Sequence, residues 1–130
     1  MRQRPLSPHL SVYKFKYTMT SSILNRFTGV GLSVGLILVA YWLMALANGR
    51  DAYAKASAFL SHDLMKVLYF LWLVAFVYHL VAGLRHLTWD TGRGLEREQS
   101  RKSAYLIGVV TAVLVVVLAY FMFFGRAVTP

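Results

Sequence analysis

The chain has 130 residues, of which 58% are hydrophobic, with no cysteine and a formal net charge of +9; its mean hydropathy is +0.54. A chain this apolar lies outside the range of ordinary soluble domains, and its length suits one small unit. Without cysteine it can hold no disulfide, no thiolate-ligated iron–sulfur cluster and no covalently attached c-type haem, so any such centre belongs to a partner.

Residues 1–20 read as a basic arm lying along a membrane surface or against a soluble partner, and Pro5 and Pro8 argue against an amphipathic targeting helix there. Thr20, Ser21 and Ser22 offer hydroxyls to cap a first helix. The run FTGVGLSVGLILVAYWLMALA (27–47) follows, too long for the apolar region of a signal peptide and long enough to cross a hydrocarbon core of about 30 Å. Gly31 with Gly35, and Gly29 with Ser33, place small residues four apart, a spacing that lets another helix approach closely. A nucleotide-binding glycine loop is a poor rival reading, because no strand precedes these glycines.

The first connection, NGRDAYAKASAFLSHD, reads as a short loop without a recognisable site. A second apolar run, VLYFLWLVAFVYHLVAGL (67–84), is flanked by Lys66 and Arg85, expected to snorkel to the membrane interface. The second connection opens with Gly92 and Gly94, plausible helix stops, and the third run is SAYLIGVVTAVLVVVLAYFMFFG (103–125). The expectation is one all-α membrane-anchor domain over 1–130, with transmembrane helices at about 22–47, 64–90 and 103–126.

The positive charge is distributed as membrane topology requires and not as a nucleic-acid surface. Five Lys and Arg precede the first span, three lie in or beside the first connection, five in or beside the second and one at the C-terminus. The positive-inside rule then places the N-terminus in the cytoplasm and the C-terminus outside it. Three helices without a sizeable extramembrane domain are expected to pack against other membrane helices.

His79 lies six residues before Arg85, roughly 9 Å below the boundary at the helical rise. An ionisable group at that depth is costly and marks a functional hypothesis. One reading is a structural histidine bonded to a neighbouring helix; the sharper one is a neutral imidazole ligating haem iron, with Gly83 on the same face leaving room for a flat macrocycle. His86 shares that face but sits roughly 10 Å further along the axis, so the two rings cannot be opposite ligands of one iron. A bis-histidine haem therefore needs a second ligand from another subunit. His86 itself reads as an interfacial residue with Asp90 at i+4 as its pairing partner. Ser22 and Arg26 share a helix face one turn apart; they either converge on a small carbonyl ligand or propionate, or serve as helix cap and positive-inside anchor. Belt and packing roles account for the aromatic residues.

The segments RPLSPHLSVY (4–13), SSILNRFTG (21–29) and YHLVAGLRHLTWD (78–90) resemble the cytochrome b membrane-anchor subunits of succinate dehydrogenase (complex II) in order, spacing and three-span layout. That resemblance implies that His79 is one axial ligand of a noncovalent haem b whose other ligand comes from a second small membrane-anchor subunit. It implies that Ser22 and Arg26 form part of a ubiquinone site, while FAD and iron–sulfur clusters reside in flavoprotein and iron–sulfur subunits. Catalysis is then a property of the assembled complex and not of the isolated chain. Asn25 stands where many relatives carry histidine; it can hydrogen-bond but cannot carry a proton. Asn25, Gly83, Arg85, His86 and Asp90 are candidates for the haem pocket or an interface. The expected location is a bacterial inner membrane. The alternatives are the anchor of a fumarate reductase and a haem-free structural or assembly protein.

Overall fold

The computed structural model describes His9 and residues 16–124, of which 123 and 124 by backbone alone. Four helices follow in chain order: α1 (Tyr17–Ala47), α2 (Arg50–Leu60), α3 (Asp63–Asp90) and α4 (Arg97–Phe124). Among the described residues there is no strand. Three of the helices, α1, α3 and α4, are long and apolar enough to cross a membrane, as the hydropathy of the sequence predicts. α3 packs against both α1 and α4, and α2 lies against α1.

Two local expectations are corrected. α1 begins at Tyr17, not at residue 22, so Thr20, Ser21 and Ser22 lie inside it and cap nothing; the N-cap is Lys16, without a side-chain cap. The hydroxyls fold back instead, Thr20 Oγ1 donating to the Lys16 carbonyl at 3.4 Å and Ser21 Oγ to the Thr18 carbonyl at 2.9 Å. Hydropathy marks where lipid begins, whereas a backbone free of Pro and Gly continues its helix into the polar interface; α4 starts early in the same way, at Arg97. Of the expected basic arm, only His9 and residues 16–20 fall within the described residues.

The first connection is also not a loop, because most of it is α2. Its alternating alanines favour helix, Asp51 occupies the first turn, and Gly49 supplies the entry turn at φ +97°. Ala56 is completely buried, and Phe59 meets Tyr41 of α1 edge to face at 6.4 Å. The α3–α4 connection behaves as predicted: Gly92 and Gly94 take φ of +78° and +74°, values that glycine adopts without strain. Trp89 Nε1 donates to the Gly94 carbonyl at 3.0 Å and fixes that turn.

Little of the molecule is core. Among the described residues the buried apolar ones are Ala45, Ala56, Met65, Val77, Ala82, Ala104 and Ile107, mostly small, while Phe27, Leu36 and Ile37 remain 71%, 67% and 67% exposed. Such a surface requires lipid or partner helices around it.

The strongest interhelical link is polar. Arg85 does not snorkel; it is 8% exposed and points into the junction of three helices. Nε donates to Ser103 Oγ at 2.9 Å, Nη1 to Ser21 Oγ at 3.2 Å, and Nη2 to the Ser100 carbonyl and hydroxyl at 2.8 and 3.2 Å. Its Cζ lies 3.9 Å from the centroid of Trp89. Neutral oxygens on α1 and α4 thus satisfy a guanidinium that has no ion-pair partner among the described residues. Hydrogen bonds from a charged donor contribute about 1.5–3 kcal/mol each, more than neutral ones. Arg85→Met is expected to lower the thermal midpoint of the detergent-solubilised protein by more than any single serine-to-alanine change in the cluster. Arg85→Lys should not restore it, because an ammonium cannot reach this spread of acceptors; a wild-type midpoint for both variants would refute the clamp.

Candidate functional site

His79 faces α1. Its Nδ1 lies 3.1 Å from the Asn25 carbonyl oxygen and 3.3 Å from Thr28 Oγ1. A carbonyl can only accept, so Nδ1 carries the proton. The Thr28 hydroxyl is within donating distance of the Leu24 and Asn25 carbonyls, at 2.9 and 3.0 Å, which leaves its oxygen to accept from the ring as well. A neutral imidazole protonated at Nδ1 keeps its lone pair on Nε2, the tautomer that ligates a metal, and an Nδ1–H to carbonyl bond is the usual way such a ligand is oriented.

Gly29 gives the ring its space. A Cβ at that position would stand 3.0 Å from His79 Cε1. Further along α1, Gly35 does the same for Trp72, whose Nε1 donates to the Gly31 carbonyl at 3.1 Å. The small-residue pattern in α1 therefore divides. Gly29 and Gly35 receive side chains of α3, whereas a Cβ at Gly31 would meet nothing within 4 Å and Ser33 is exposed. A Cβ at Gly83 would also enter open space.

The remaining candidates separate into two groups. Ser22, half-buried, and Arg26, exposed, flank Asn25 on the His79-facing stripe of α1, and neither side chain has a hydrogen-bond partner among the described residues. The amide oxygen of Asn25 is buried and likewise unpartnered. Arg85 belongs instead to the serine cluster described above. The pairing of His86 with Asp90 does not form: the His86 ring stands edge to face with Trp89 at 5.2 Å, an aromatic contact available one turn along the helix, and Asp90 is exposed. His62 caps α3, its Nδ1 accepting from the Leu64 amide at 3.4 Å.

Sequence reasoning gives Ser22 a candidate ligand role and Ser21 only a capping one, whereas Ser21 is the residue that joins the helices. Ser21 accepts from Arg85 through its hydroxyl and from the Tyr78 hydroxyl, at 2.9 Å, through its carbonyl. Thr28, Ser100 and Ser103 were also missed. The available signal was Arg85 itself: a cation in the last turns of an apolar helix must find oxygens nearby, although spacing alone does not say which. Among the described residues no group of three or more His, Cys, Asp or Glu side chains gathers to hold a metal ion. The site thus offers one oriented imidazole and a row of unpartnered polar groups beside it.

The family described as succinate dehydrogenase/fumarate reductase transmembrane subunit matches residues 1–118. The chain is 39% identical over 122 residues to the succinate dehydrogenase cytochrome b556 subunit of Paracoccus denitrificans, covering 92% of this chain and 94% of that one. It is 34% identical over 116 residues to the cytochrome b556 subunit of Rickettsia felis, covering 89% and 90%. Against the mitochondrial cytochrome b560 subunit of Homo sapiens the identity is 36% over 110 residues, covering 83% of this chain and 65% of the human one. With a match over nearly its whole length, the chain belongs to the succinate dehydrogenase/fumarate reductase transmembrane subunit family.

Proposed function

We propose that this chain is the haem b-bearing membrane anchor of a succinate:quinone oxidoreductase, supplying one haem axial ligand and part of the ubiquinone-reduction site. The observation that carries the reading is the His79 imidazole, held through Nδ1 by the Asn25 carbonyl so that Nε2 is free to ligate. A single oriented imidazole, with no group of three His, Cys, Asp or Glu among the described residues, would suit haem iron better than a bare ion, and His79 Nε2 would hold it. A Cβ at Gly83 would meet nothing within 4 Å, so that position would leave room for the group. The names of the relatives favour the succinate-oxidising direction over fumarate reduction.

When bound, haem b supplies a one-electron redox centre near the quinone. The chain's own residues do the rest of the work assigned to it. Asn25 and Thr28 set the ring orientation and tautomer of His79, and Gly29 leaves it room. Ser22 donates a hydrogen bond to a quinone carbonyl. Arg26 donates a second and stabilises the negative charge that develops on that oxygen during reduction. Asn25 positions groups but transfers no proton. Flavoprotein and iron–sulfur subunits would supply the FAD and iron–sulfur chemistry, and a second small anchor would supply the other haem ligand. The charge distribution supports an N-terminus and α3–α4 turn on the cytoplasmic side, and the Paracoccus and Rickettsia relatives support a bacterial inner membrane.

His79→Ala is expected to remove haem b from the assembled complex, measured as pyridine haemochrome per flavin; an unchanged ratio would exclude His79 as ligand. Gly29→Leu should displace the same ring and lower haem content while His79 remains in place, and wild-type haem in that variant would contradict the packing described above. Arg26→Leu should lower succinate–quinone activity about a hundred-fold. Dye reduction by the soluble subunits should persist in that variant; full quinone activity would remove Arg26 from the site.

A further inference from the structure

At the end of the bundle where α1 and α4 both begin, Lys16, Tyr17 and Thr18 of one segment and Arg97, Glu98 and Arg101 of the other line an open cleft of about 520 Å³. The helix starts are joined by aromatic contact: Tyr17 stacks on Tyr105 at 4.3 Å, and its hydroxyl donates to the Ala104 carbonyl at 3.2 Å. Lys16, Arg97 and Arg101 are exposed, and none has an ion-pair partner among the described residues. Glu98, the acid in the lining, is already engaged by Lys102 at 3.1 Å. Three unpaired cations around one cleft repel each other and hold a positive field there. The amino ends of two helix dipoles add to it.

What the cleft adjoins identifies the class of anion. Further along, the same two helices expose apolar side chains, Leu24 and Phe27 of α1 and Leu106 and Val109 of α4 being 46%, 71%, 60% and 61% exposed. Both helices are long and apolar enough to span a bilayer. Tyr17 and Tyr105 stand at the transition, the level at which amphipathic rings meet lipid headgroups. A soluble anion matches the cations but not the apolar continuation, and an acidic protein surface likewise leaves the hydrocarbon-facing part bare. We propose that this cleft binds the phosphate headgroup of an anionic phospholipid, with its acyl chains lying along α1 and α4. Basic pockets between membrane helices are suited to this role.

The test uses the membrane complex reconstituted in nanodiscs of phosphatidylcholine with a minor fraction of phosphatidylglycerol, then released and counted for retained lipid by native mass spectrometry. Wild type should retain phosphatidylglycerol in preference to phosphatidylcholine. Occupancy should fall about five-fold for each cation removed on the way to Lys16→Gln/Arg97→Gln/Arg101→Gln. The Arg50→Gln/Lys55→Gln variant, altered on α2, should retain lipid as wild type does. No preference between the two lipids in wild type overturns the proposal without reference to any variant. Equal retention by wild type and the triple variant overturns it too. Displacement by inorganic phosphate would make this a free-anion site, and loss of soluble subunits with unchanged lipid retention would make it a protein-docking face; either outcome refutes the lipid assignment.

Discussion

Arg85 is the constraint around which the bundle is arranged. A guanidinium in the last turns of an apolar helix must be satisfied by oxygens, and those within reach belong to Ser21 of α1 and to Ser100 and Ser103 of α4. Meeting that demand draws three helix ends together. It also sets register. With Ser21 fixed to Arg85 and to Tyr78, the next turn of α1 brings Asn25 level with His79, where its carbonyl takes the ring proton. A polar clamp at one end of the bundle thus determines which backbone atom orients the histidine deeper inside it. In a medium that offers no hydrophobic drive between helices, hydrogen bonds and close packing carry this specificity.

The rest of the molecule is built to be completed by others. Among the described residues the buried apolar side chains are mostly small, and many larger ones face outward. The same incompleteness appears at atomic scale along one stripe of α1. Among the described residues Ser22 and Arg26 lack partners, Asn25 Oδ1 is buried without a donor, and on α3 no acid meets the lone pair of His79 Nε2. Unsatisfied polar groups are expensive in an apolar setting. Their concentration around one histidine supports the haem and quinone roles proposed for this stripe.

Much of the fold was legible because lipid imposes a simple rule on composition: three apolar runs of sufficient length became three spanning helices, and Gly92 and Gly94 marked a turn that needs positive φ. What hydropathy does not encode was misread. α2 reads as a loop from the sequence because a helix lying outside the apolar runs leaves no hydropathy signal; its alanine content is the cue. α1 was started too late because serine and threonine serve equally as caps and as residues bonded back within a helix. At the site, helical periodicity separated His79 from His86 and set Gly83 beside it. Periodicity along one helix is silent about the facing helix, so the roles of Ser21, Thr28 and the Asn25 carbonyl emerged only from packing. Arg85 was placed at the interface on the general behaviour of long cationic side chains, and local oxygens overrode that behaviour.

The central claim is that His79 meets haem iron through Nε2 while Asn25 holds Nδ1 protonated. Pulsed electron paramagnetic resonance of the oxidised complex, with heavy-nitrogen histidine introduced into this chain alone, tests it most directly. The account predicts one labelled imidazole nitrogen bonded to iron and a remote ring nitrogen that carries a proton. Absence of coupling to any labelled nitrogen, or a remote nitrogen without its proton, would contradict it.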